Sequence, residues 1–271
     1  MIEEKQKNKS ELDEIFDLEF PLFEMQASFD ISKHLGGITA TDKLLELCNI
    51  NENSRILDVG CGVGATVSYI AKKYDVQITG VDKSERMIQK ATKRVKKRKV
   101  TDLVELRIAD ATNLPFDDNL FDIVMTESVL SFVEDKPTAI TEFVRVTKPG
   151  GYIGLNESIL LDKSPPKEIS DILMKSQWFK GDVMTEDKWL LLLNEAKLDN
   201  LSVQTQSIKT RSEFREHIKR YGWRHFFASL FKSLSSALKS RKYREFLSET
   251  KSTPRELPNY IGYGLFVGKK P

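Results

Sequence analysis

A turn with three glycines is the first candidate for a ligand site in this sequence. Residues 56–65 read I-L-D-V-G-C-G-V-G-A, an apolar run that leads into Gly60, Gly62 and Gly64. Because glycine has no side chain, the main chain can take positive φ and come close to a ligand, while the next helix points its N–H groups at the same place. The segment therefore predicts a buried strand, a tight turn and a helix that together bind a nucleotide.

Acidic residues stand where further strands are predicted to end. Asp82 follows the apolar run 76–81, and Asp110 and Glu127 follow two more predicted strands. In open α/β sheets, ligands bind outside the carboxyl ends of the strands, where a carboxylate after the second strand accepts hydrogen bonds from a ribose diol. We expect Asp110 to accept from an adenine amino group. Together with Asp58, these residues favour a cofactor without phosphate.

The glycine turn by itself also fits a second class of enzyme. The spacing Gly60-x-Gly62-x-x-Ala65 satisfies the dinucleotide fingerprint, so a nicotinamide-dependent oxidoreductase stays open as an alternative. A dinucleotide site has to accept a pyrophosphate, which the charge of Asp58 would repel, whereas the same charge attracts an amino group. The neighbouring acids therefore favour a cofactor that carries an amino group.

Five segments in fixed order carry a resemblance to a known family. They are D-V-G-C-G-V-G at 58–64, G-V-D-K-S at 80–84, A-D-A-T-N-L-P-F at 109–116, F-D-I-V-M-T-E-S at 121–128 and K-P-G-G at 148–151. Over residues 39–158 the chain resembles the class I S-adenosylmethionine-dependent methyltransferases. Within them it is most similar to the subgroup of ubiquinone and menaquinone C-methyltransferases and small-molecule methyltransferases. The resemblance implies S-adenosylmethionine as the cofactor and methyl transfer as the activity.

The same resemblance implies roles for individual residues. It implies a cofactor site formed by Asp58, Gly60, Cys61, Gly62, Gly64, Asp82, Lys83, Met87, Asp110, Ala111 and Glu127. His34 and Glu127 are the predicted catalytic residues. His34 is assigned from its position directly before Leu35-Gly36-Gly37, as a base or as a group that orients the acceptor. A packing role for His34 on the turn that follows it stays open. Substrate contacts are predicted for His34, Asn156, Tyr221, Trp223 and Tyr260, with Trp178, Phe179 and Phe226 as further aromatic residues of an apolar pocket.

The elements around these residues predict an α/β fold. Strands and helices alternate, which indicates a doubly wound, Rossmann-like sheet of seven strands, parallel except for one antiparallel strand. Side chains suited to cap helices are found at Thr39, Ser84 and Asp135. The predicted segments are an N-terminal helical arm (1–38), the S-adenosylmethionine-binding domain (39–208), a helical cap inserted between strands 6 and 7 (209–258), and the final strand (259–271).

The predicted cap combines an apolar stripe with positive charge. Large apolar side chains recur at steps of three and four from Trp223 to Leu238, and residues 209–244 contain eleven basic residues against two acidic ones. The favoured interpretation is a mobile lid whose aromatic face packs over the cofactor domain. Peripheral contact with an anionic membrane surface is one alternative, because basic helices rich in Trp and Phe bind such interfaces. Contact with an anionic substrate or a macromolecular partner is another.

Composition restricts the remaining function classes. The 42 basic and 40 acidic residues give a net charge of +2, which does not predict binding to nucleic acid. Two cysteines, Cys48 and Cys61, exclude a disulfide scaffold and a four-cysteine zinc site, and no metal is predicted. With a charged N-terminal sequence and no long apolar run, we expect a cytoplasmic protein.

We expect a small-molecule or lipid-like acceptor. A partner protein that binds the cofactor without catalysis stays open, and the sequence leaves the oligomeric state open.

Overall fold

The computed structural model describes Phe29 and residues 34–175, 183–208, 210–252, 254 and 256–271. Seven strands form a single sheet. They are β1 (Ile56–Val59), β2 (Ile78–Asp82), β3 (Val104–Ile108), β4 (Phe121–Glu127), β5 (Thr147–Leu160), β6 (Asp199–Ser207) and β7 (Ile261–Lys269). Their order across the sheet is β3-β2-β1-β4-β5-β7-β6. β7 is antiparallel to both of its neighbours and the other pairs are parallel, which confirms the predicted fold class.

Helices cover both faces of this sheet. They are α1 (Gly37–Leu47), α2 (Ala65–Tyr74), α3 (Glu85–Arg98), α4 (Lys136–Val146), α5 (Lys167–Lys175), α6 (Glu186–Glu195), α7 (Thr210–Lys239) and α8 (Arg241–Ser252). On one face Leu44 of α1 and Ile70 of α2 are fully buried against the strands. On the other face Phe143, Trp189 and Phe266 form the centre of the core. Burial on both faces leaves the edge at the strand ends as the place for a ligand site.

Two of the three predicted helix caps are present. The Ser84 hydroxyl accepts a hydrogen bond from the Met87 N–H at 3.3 Å, and the Asp135 carboxylate accepts from the Thr138 N–H at 3.0 Å. The third prediction, Thr39, is wrong. α1 begins two residues earlier, because Gly36 takes φ 75° and turns the chain into the helix there.

The helices α7 and α8 lie between β6 and β7, as the predicted fold class requires. α7 is interrupted at Gly222, whose φ of 81° and ψ of 163° are not helical. Its first part contacts α1, where the Glu216 carboxylate accepts hydrogen bonds from the N–H and the hydroxyl of Thr39 at 3.2 and 3.0 Å. None of the helices in the described ranges is long and apolar enough to cross a membrane.

The structure corrects the favoured interpretation of the apolar stripe. Trp223 is 55% exposed, Phe227 59% and Phe231 75%, so the aromatic face does not pack over the cofactor domain. Small side chains form the inward face instead, where the hydroxyl groups of Ser233 and Tyr243 are 2.7 Å apart. The division into four segments stays a prediction. The predicted arm lies outside the described residues except for Phe29 and the stretch from His34 onward.

Candidate active site

The turn after β1 holds its backbone in the left-handed region. Gly60 has φ 80° and Gly64 has φ 74°. The N–H groups of Gly60 and Cys61 donate to the Val81 carbonyl at 2.8 and 2.9 Å, which fastens the turn to the end of β2. A Cβ atom on Gly60 would stand 2.3 Å from Cγ2 of Val129, so glycine is required there by both conformation and space.

Asp82 connects this turn to the start of α3. Its Oδ2 accepts from the Gly62 N–H and its Oδ1 accepts from the Ser84 N–H, both at 2.9 Å. The ribose hydroxyls that the sequence predicts would be further donors to this carboxylate, which has about four acceptor positions. The backbone bonds fix the orientation of the carboxylate in advance.

Asp110 follows β3 and is exposed at the same edge of the sheet. Hydrogen bonds from the N–H and hydroxyl of Thr112, at 2.9 and 2.7 Å, lower the pKa of this carboxyl, and the charge of Lys83 lowers it further. Asp110 is therefore ionised at neutral pH. Its negative charge is available at the edge where the adenine contact is predicted.

The remaining predicted cofactor residues are mostly buried. Met87 packs against Val63 beside the turn, and Ala111 belongs to the core. Burial, and after it the charges of Asp58 and Asp82, raise the pKa of the Cys61 thiol well above its ordinary value. Cys61 therefore stays protonated and fills space, because only a thiolate acts as a nucleophile or metal ligand.

A buried polar cluster lies at the ends of β4 and β5. We call it the Glu127 cluster, and its members are His34, Thr41, Thr66, Glu127 and Asn156. The Glu127 carboxylate accepts from Thr41 Oγ1 at 3.0 Å, from Thr66 Oγ1 at 3.3 Å and from Asn156 Nδ2 at 3.3 Å. His34 Nε2 lies 3.3 Å from Oε2 of the same carboxylate. These donors stabilise a charge that burial alone would disfavour.

Both ring nitrogens of His34 face groups of the cluster. Asn156 Nδ2 lies 3.0 Å from the Leu35 carbonyl, which accepts only, so this atom is the amide nitrogen and a donor. The same nitrogen is 3.2 Å from His34 Nδ1, and His34 Nε2 lies 3.3 Å from Glu127 Oε2. The ring of His34 is therefore held between Asn156 and Glu127.

Distant parts of the chain meet in this cluster. Glu127 and Asn156 are register partners in β4 and β5, so their side chains leave the sheet on the same face. Thr41 comes from α1 and Thr66 from the first turn of α2. The sequence interpretation missed both threonines. For Thr66 a signal was present, since it stands two residues after Gly64 in a helix that must begin at this edge.

Two buried polar atoms beside the cluster lack a protein partner. Within the described part of the chain, neither Asn156 Oδ1 nor Ser128 Oγ has one. Ser128 also has φ 59°, and its N–H donates to the Asn156 carbonyl at 2.7 Å. Buried polar groups are nearly always hydrogen-bonded, so these atoms indicate where a ligand or a water molecule binds.

Glu157 fixes the loop that follows β4. Glu157 lies inside β5, which continues to Leu160, and its side chain is fully buried. Its carboxylate accepts from the N–H groups of Val129 and Leu130 at 2.9 Å each and from Ser131 Oγ at 3.1 Å. Burial raises the pKa of Glu157 to about 7. The loop that contacts Gly60 is therefore held by a group that titrates near neutral pH.

The aromatic residues predicted to contact the substrate lie in different surroundings. The Tyr221 ring stacks on His225 and lies 5.7 Å from the Arg94 guanidinium. Trp223 stacks on Phe227 at an exposed surface rather than in a pocket. Tyr260 packs in a separate apolar cluster with residues of α5 and β7. Their contacts with an acceptor stay predictions, and Trp178 and Phe179 lie outside the described residues.

The carboxylates at the sheet edge fit S-adenosylmethionine. Carboxylates at Asp58, Asp82, Asp110 and Glu127 stand at the carboxyl ends of four strands. Acceptors of this kind suit a ligand that presents a ribose diol, amino groups and a sulfonium charge, and they disfavour a pyrophosphate. The N-terminus of α2, at the glycine turn, suits the carboxylate of the same molecule.

Sequence comparisons point to the same class. Residues 57–155 match a family described as a methyltransferase domain. Phosphoethanolamine N-methyltransferase 1 of Arabidopsis thaliana is 31% identical over 155 residues, which are 57% of this chain and 31% of that protein. The chain thus spans about a third of that relative's length. The 27-O-demethylrifamycin SV methyltransferase of Amycolatopsis mediterranei is 29% identical over 234 residues, 85% of this chain and 82% of that protein.

Solved structures share the fold. The (4+2)-cyclase SpnF superposes with a TM-score of 0.74 at 21% identity, over 97% of both chains. Phosphoethanolamine N-methyltransferase 2 of Haemonchus contortus, in complex with phosphomonomethylethanolamine and S-adenosylhomocysteine, gives a TM-score of 0.71 at 19% identity, over 97% of this chain and 61% of that chain. At these identities the likeness shows the fold alone.

A sheet of this order, with a glycine turn after its first strand and carboxylates at its strand ends, has the arrangement that suits a nucleotide cofactor. Residues 57–155 match a methyltransferase domain, and this match and the curated relatives support a class I S-adenosylmethionine-dependent methyltransferase with S-adenosylmethionine as its cofactor. Membership of the quinone methyltransferase subgroup stays a prediction.

Proposed function

We propose that this chain transfers a methyl group from S-adenosylmethionine to a small apolar or lipid-like acceptor by in-line displacement. The observation that carries the proposal is the set of carboxylates at one sheet edge, beside the turn of Gly60. Proteins similar to this chain support a small-molecule acceptor: they include a 27-O-demethylrifamycin SV methyltransferase and a geranyl diphosphate C-methyltransferase. The apolar character of the acceptor is our inference from the aromatic residues that the sequence carries in the predicted cap, although the structure leaves Trp223 at an exposed surface. A cytoplasmic location remains part of the proposal.

The chemistry required of the protein is mainly positioning. S-Adenosylmethionine supplies a methyl group made electrophilic by its sulfonium. Asp82 would orient the ribose, and the turn of Gly60 lets the backbone approach closely. Holding both reactants in line, in a site closed to water, replaces a slow encounter between free molecules.

The hydrogen bonds of the Glu127 cluster favour an orienting role for His34. Its Nδ1 lies 3.2 Å from Asn156 Nδ2 and its Nε2 lies 3.3 Å from Glu127 Oε2, so both ring nitrogens are engaged inside the cluster. We infer that His34 holds Glu127 in place, and that Glu127 and Asn156 orient the amino group of the cofactor or a polar group of the acceptor. A general base is needed only when the acceptor atom must lose a proton.

Calorimetric titration of the full chain with S-adenosylhomocysteine, NADH and NADPH tests the cofactor. We expect S-adenosylhomocysteine to bind and the two nicotinamide nucleotides to release no heat. Binding of NADH or NADPH alone would replace the proposal with the oxidoreductase alternative.

A second measurement tests the activity. Incubation of the chain with methyl-labelled cofactor and fractionated cell extract should give a labelled small molecule in an apolar fraction. Label in proteins only would reject the small-molecule acceptor. A chain that binds the cofactor and labels nothing would be a cofactor-binding partner protein without catalysis.

A further inference from the structure

The second half of α7 carries large apolar side chains on its outer face. We call this set the exposed stripe. Its members and their exposed fractions are Trp223 55%, Phe227 59%, Leu230 48%, Phe231 75%, Leu234 61% and Leu238 85%. At steps of three and four these residues occupy one side of the helix. Together they form a larger continuous apolar surface than scattered single residues would give.

The opposite side of the same helix is made of small polar residues and faces the protein. Ser236 is 7% exposed and Ser240, directly after the helix, is fully buried. The hydroxyl of Ser233 hydrogen-bonds with that of Tyr243, and the Tyr243 N–H donates to Ser240 Oγ at 3.0 Å. An ordinary surface helix buries its apolar side and exposes its polar side. The polarity of α7 is reversed, which indicates an external apolar contact.

Positive charge accompanies the exposed stripe. From His217 to Arg244 the sequence has no acidic residue and eight basic ones: Lys219, Arg220, Arg224, Lys232, Lys239, Arg241, Lys242 and Arg244. The side chains of Arg224, Lys232 and Lys239 are exposed on the same helix. By the 3.6-residue repeat all three lie on the same side of the stripe: Arg224 is next to it, and Lys232 and Lys239 lie between it and the buried side of the helix. A partner of this surface must therefore tolerate both apolar side chains and cations.

We propose that the exposed stripe docks the protein on an anionic lipid bilayer. Trp, Phe and Leu on one side of a helix, with Lys and Arg beside them, are the features by which a helix lies in a membrane interface. Anionic headgroups attract the basic residues, and the acyl boundary takes up the apolar ones. A second copy of the chain suits this surface less well, because a two-fold contact would bring the same cations together.

The position of α7 connects this surface to the predicted site. Glu216, in the first half of α7, accepts hydrogen bonds from Thr39, two residues before Thr41 of the Glu127 cluster. Docking would therefore bring the acceptor edge of the sheet close to the lipid. The proposal goes beyond methyl transfer and does not depend on it, since lipid binding can be measured without turnover.

Liposome flotation of the full chain tests the proposal. The liposomes are phosphatidylcholine alone or phosphatidylcholine with about one third phosphatidylglycerol. We expect binding to the anionic liposomes that falls at least about tenfold as ionic strength rises from roughly 0.05 to 0.3 M, because the charges are screened. Absence of binding to anionic liposomes, or equal binding to both kinds at every salt concentration, would overturn the proposal.

A matched pair of variants isolates the exposed stripe. Phe227→Ser/Leu234→Ser removes two exposed apolar side chains and should lower the lipid partition coefficient by about tenfold or more. Ile108→Ser/Leu191→Ser alters two side chains that are 54% and 59% exposed outside α7, and should leave partitioning unchanged. An equal loss in both variants would contradict a specific surface.

Sedimentation velocity without lipid tests whether a second copy of the chain, rather than lipid, covers the exposed stripe. We expect a sedimentation coefficient that is the same in the wild type and in Phe227→Ser/Leu234→Ser. Self-association of the wild type that this variant abolishes would assign the stripe to a second copy of the chain and overturn the lipid proposal. Titration with S-adenosylhomocysteine reports separately on the proposed function, so failure of one idea leaves the other measurable.

Discussion

Replacement of Asp82 by Ala tests the cofactor site most directly. In the structure the Asp82 carboxylate accepts from the N–H groups of Gly62 and Ser84, and we predict that it also accepts from the ribose hydroxyls. Loss of a charge-assisted acceptor costs about 1.5 to 3 kcal/mol, which weakens cofactor binding roughly tenfold to 150-fold. Loss of the hydrogen bonds from the two backbone N–H groups would lower the free energy of unfolding by about 0.5 to 1.5 kcal/mol for each bond.

Two measurements separate these effects. Calorimetric titration with S-adenosylhomocysteine gives the dissociation constant, and urea unfolding gives the free energy of unfolding. Asp82→Asn keeps one acceptor oxygen but turns an NH2 group toward one of the two backbone donors, so we expect an intermediate loss of affinity.

Asp102→Ala is the matched control. Asp102 is an exposed carboxylate in the turn that precedes β3, at the amino-terminal end of the strands and away from the predicted site. We expect no change in either measurement for this variant. Asp82→Ala with wild-type affinity and a lowered unfolding free energy would refute the ribose contact and leave Asp82 as a brace of the turn.

Three further predictions concern the turn, the cluster and the loop. Gly60→Ala and Gly150→Ala impose similar backbone strain, at φ 80° and 76°, but only Gly60→Ala also places a Cβ 2.3 Å from a Val129 side-chain carbon. Urea unfolding should therefore show a larger loss of unfolding free energy for Gly60→Ala than for Gly150→Ala. His34→Ala should lower turnover about 100-fold with cofactor affinity nearly unchanged; normal turnover would leave His34 a packing role. Because the folded pKa of Glu157 is raised from 4.5 to about 7, unfolding free energy should fall by about 3 kcal/mol as pH rises through that window. Glu157→Gln should flatten this pH dependence, and an unchanged slope would contradict the raised pKa.

Local signals account for the parts of the fold that the sequence predicts well. The strand, glycine turn and helix around Gly60 lie within ten residues, and the caps at Ser84 and Asp135 depend on contacts three residues away. Thr39 shows the limit of such signals, because the conformation of Gly36 decides where α1 begins. A capping residue has no effect on a helix that starts before it.

Contacts between distant elements account for what the sequence did not predict. The Glu127 cluster joins side chains from α1, α2, β4 and β5, and no local pattern marks Thr41 as a partner of Glu127. The apolar repeat in α7 predicted one apolar face correctly, but periodicity does not say which way a face points. Its outward direction depends on the small serines that pack against α8.

The two strands that flank the inserted helices are hydrogen-bonded to each other. Ser207 at the end of β6 is paired with Gly262 near the start of β7, so the two ends of the inserted helices are neighbours. Lengthening such a connection from two to about fifty residues adds only about 3 kcal/mol of closure entropy. Descendants of this chain could therefore gain, lose or exchange the segment while the register of β6 and β7 is conserved. The lipid contact that we propose for α7 and the chemistry at the sheet edge can then evolve separately.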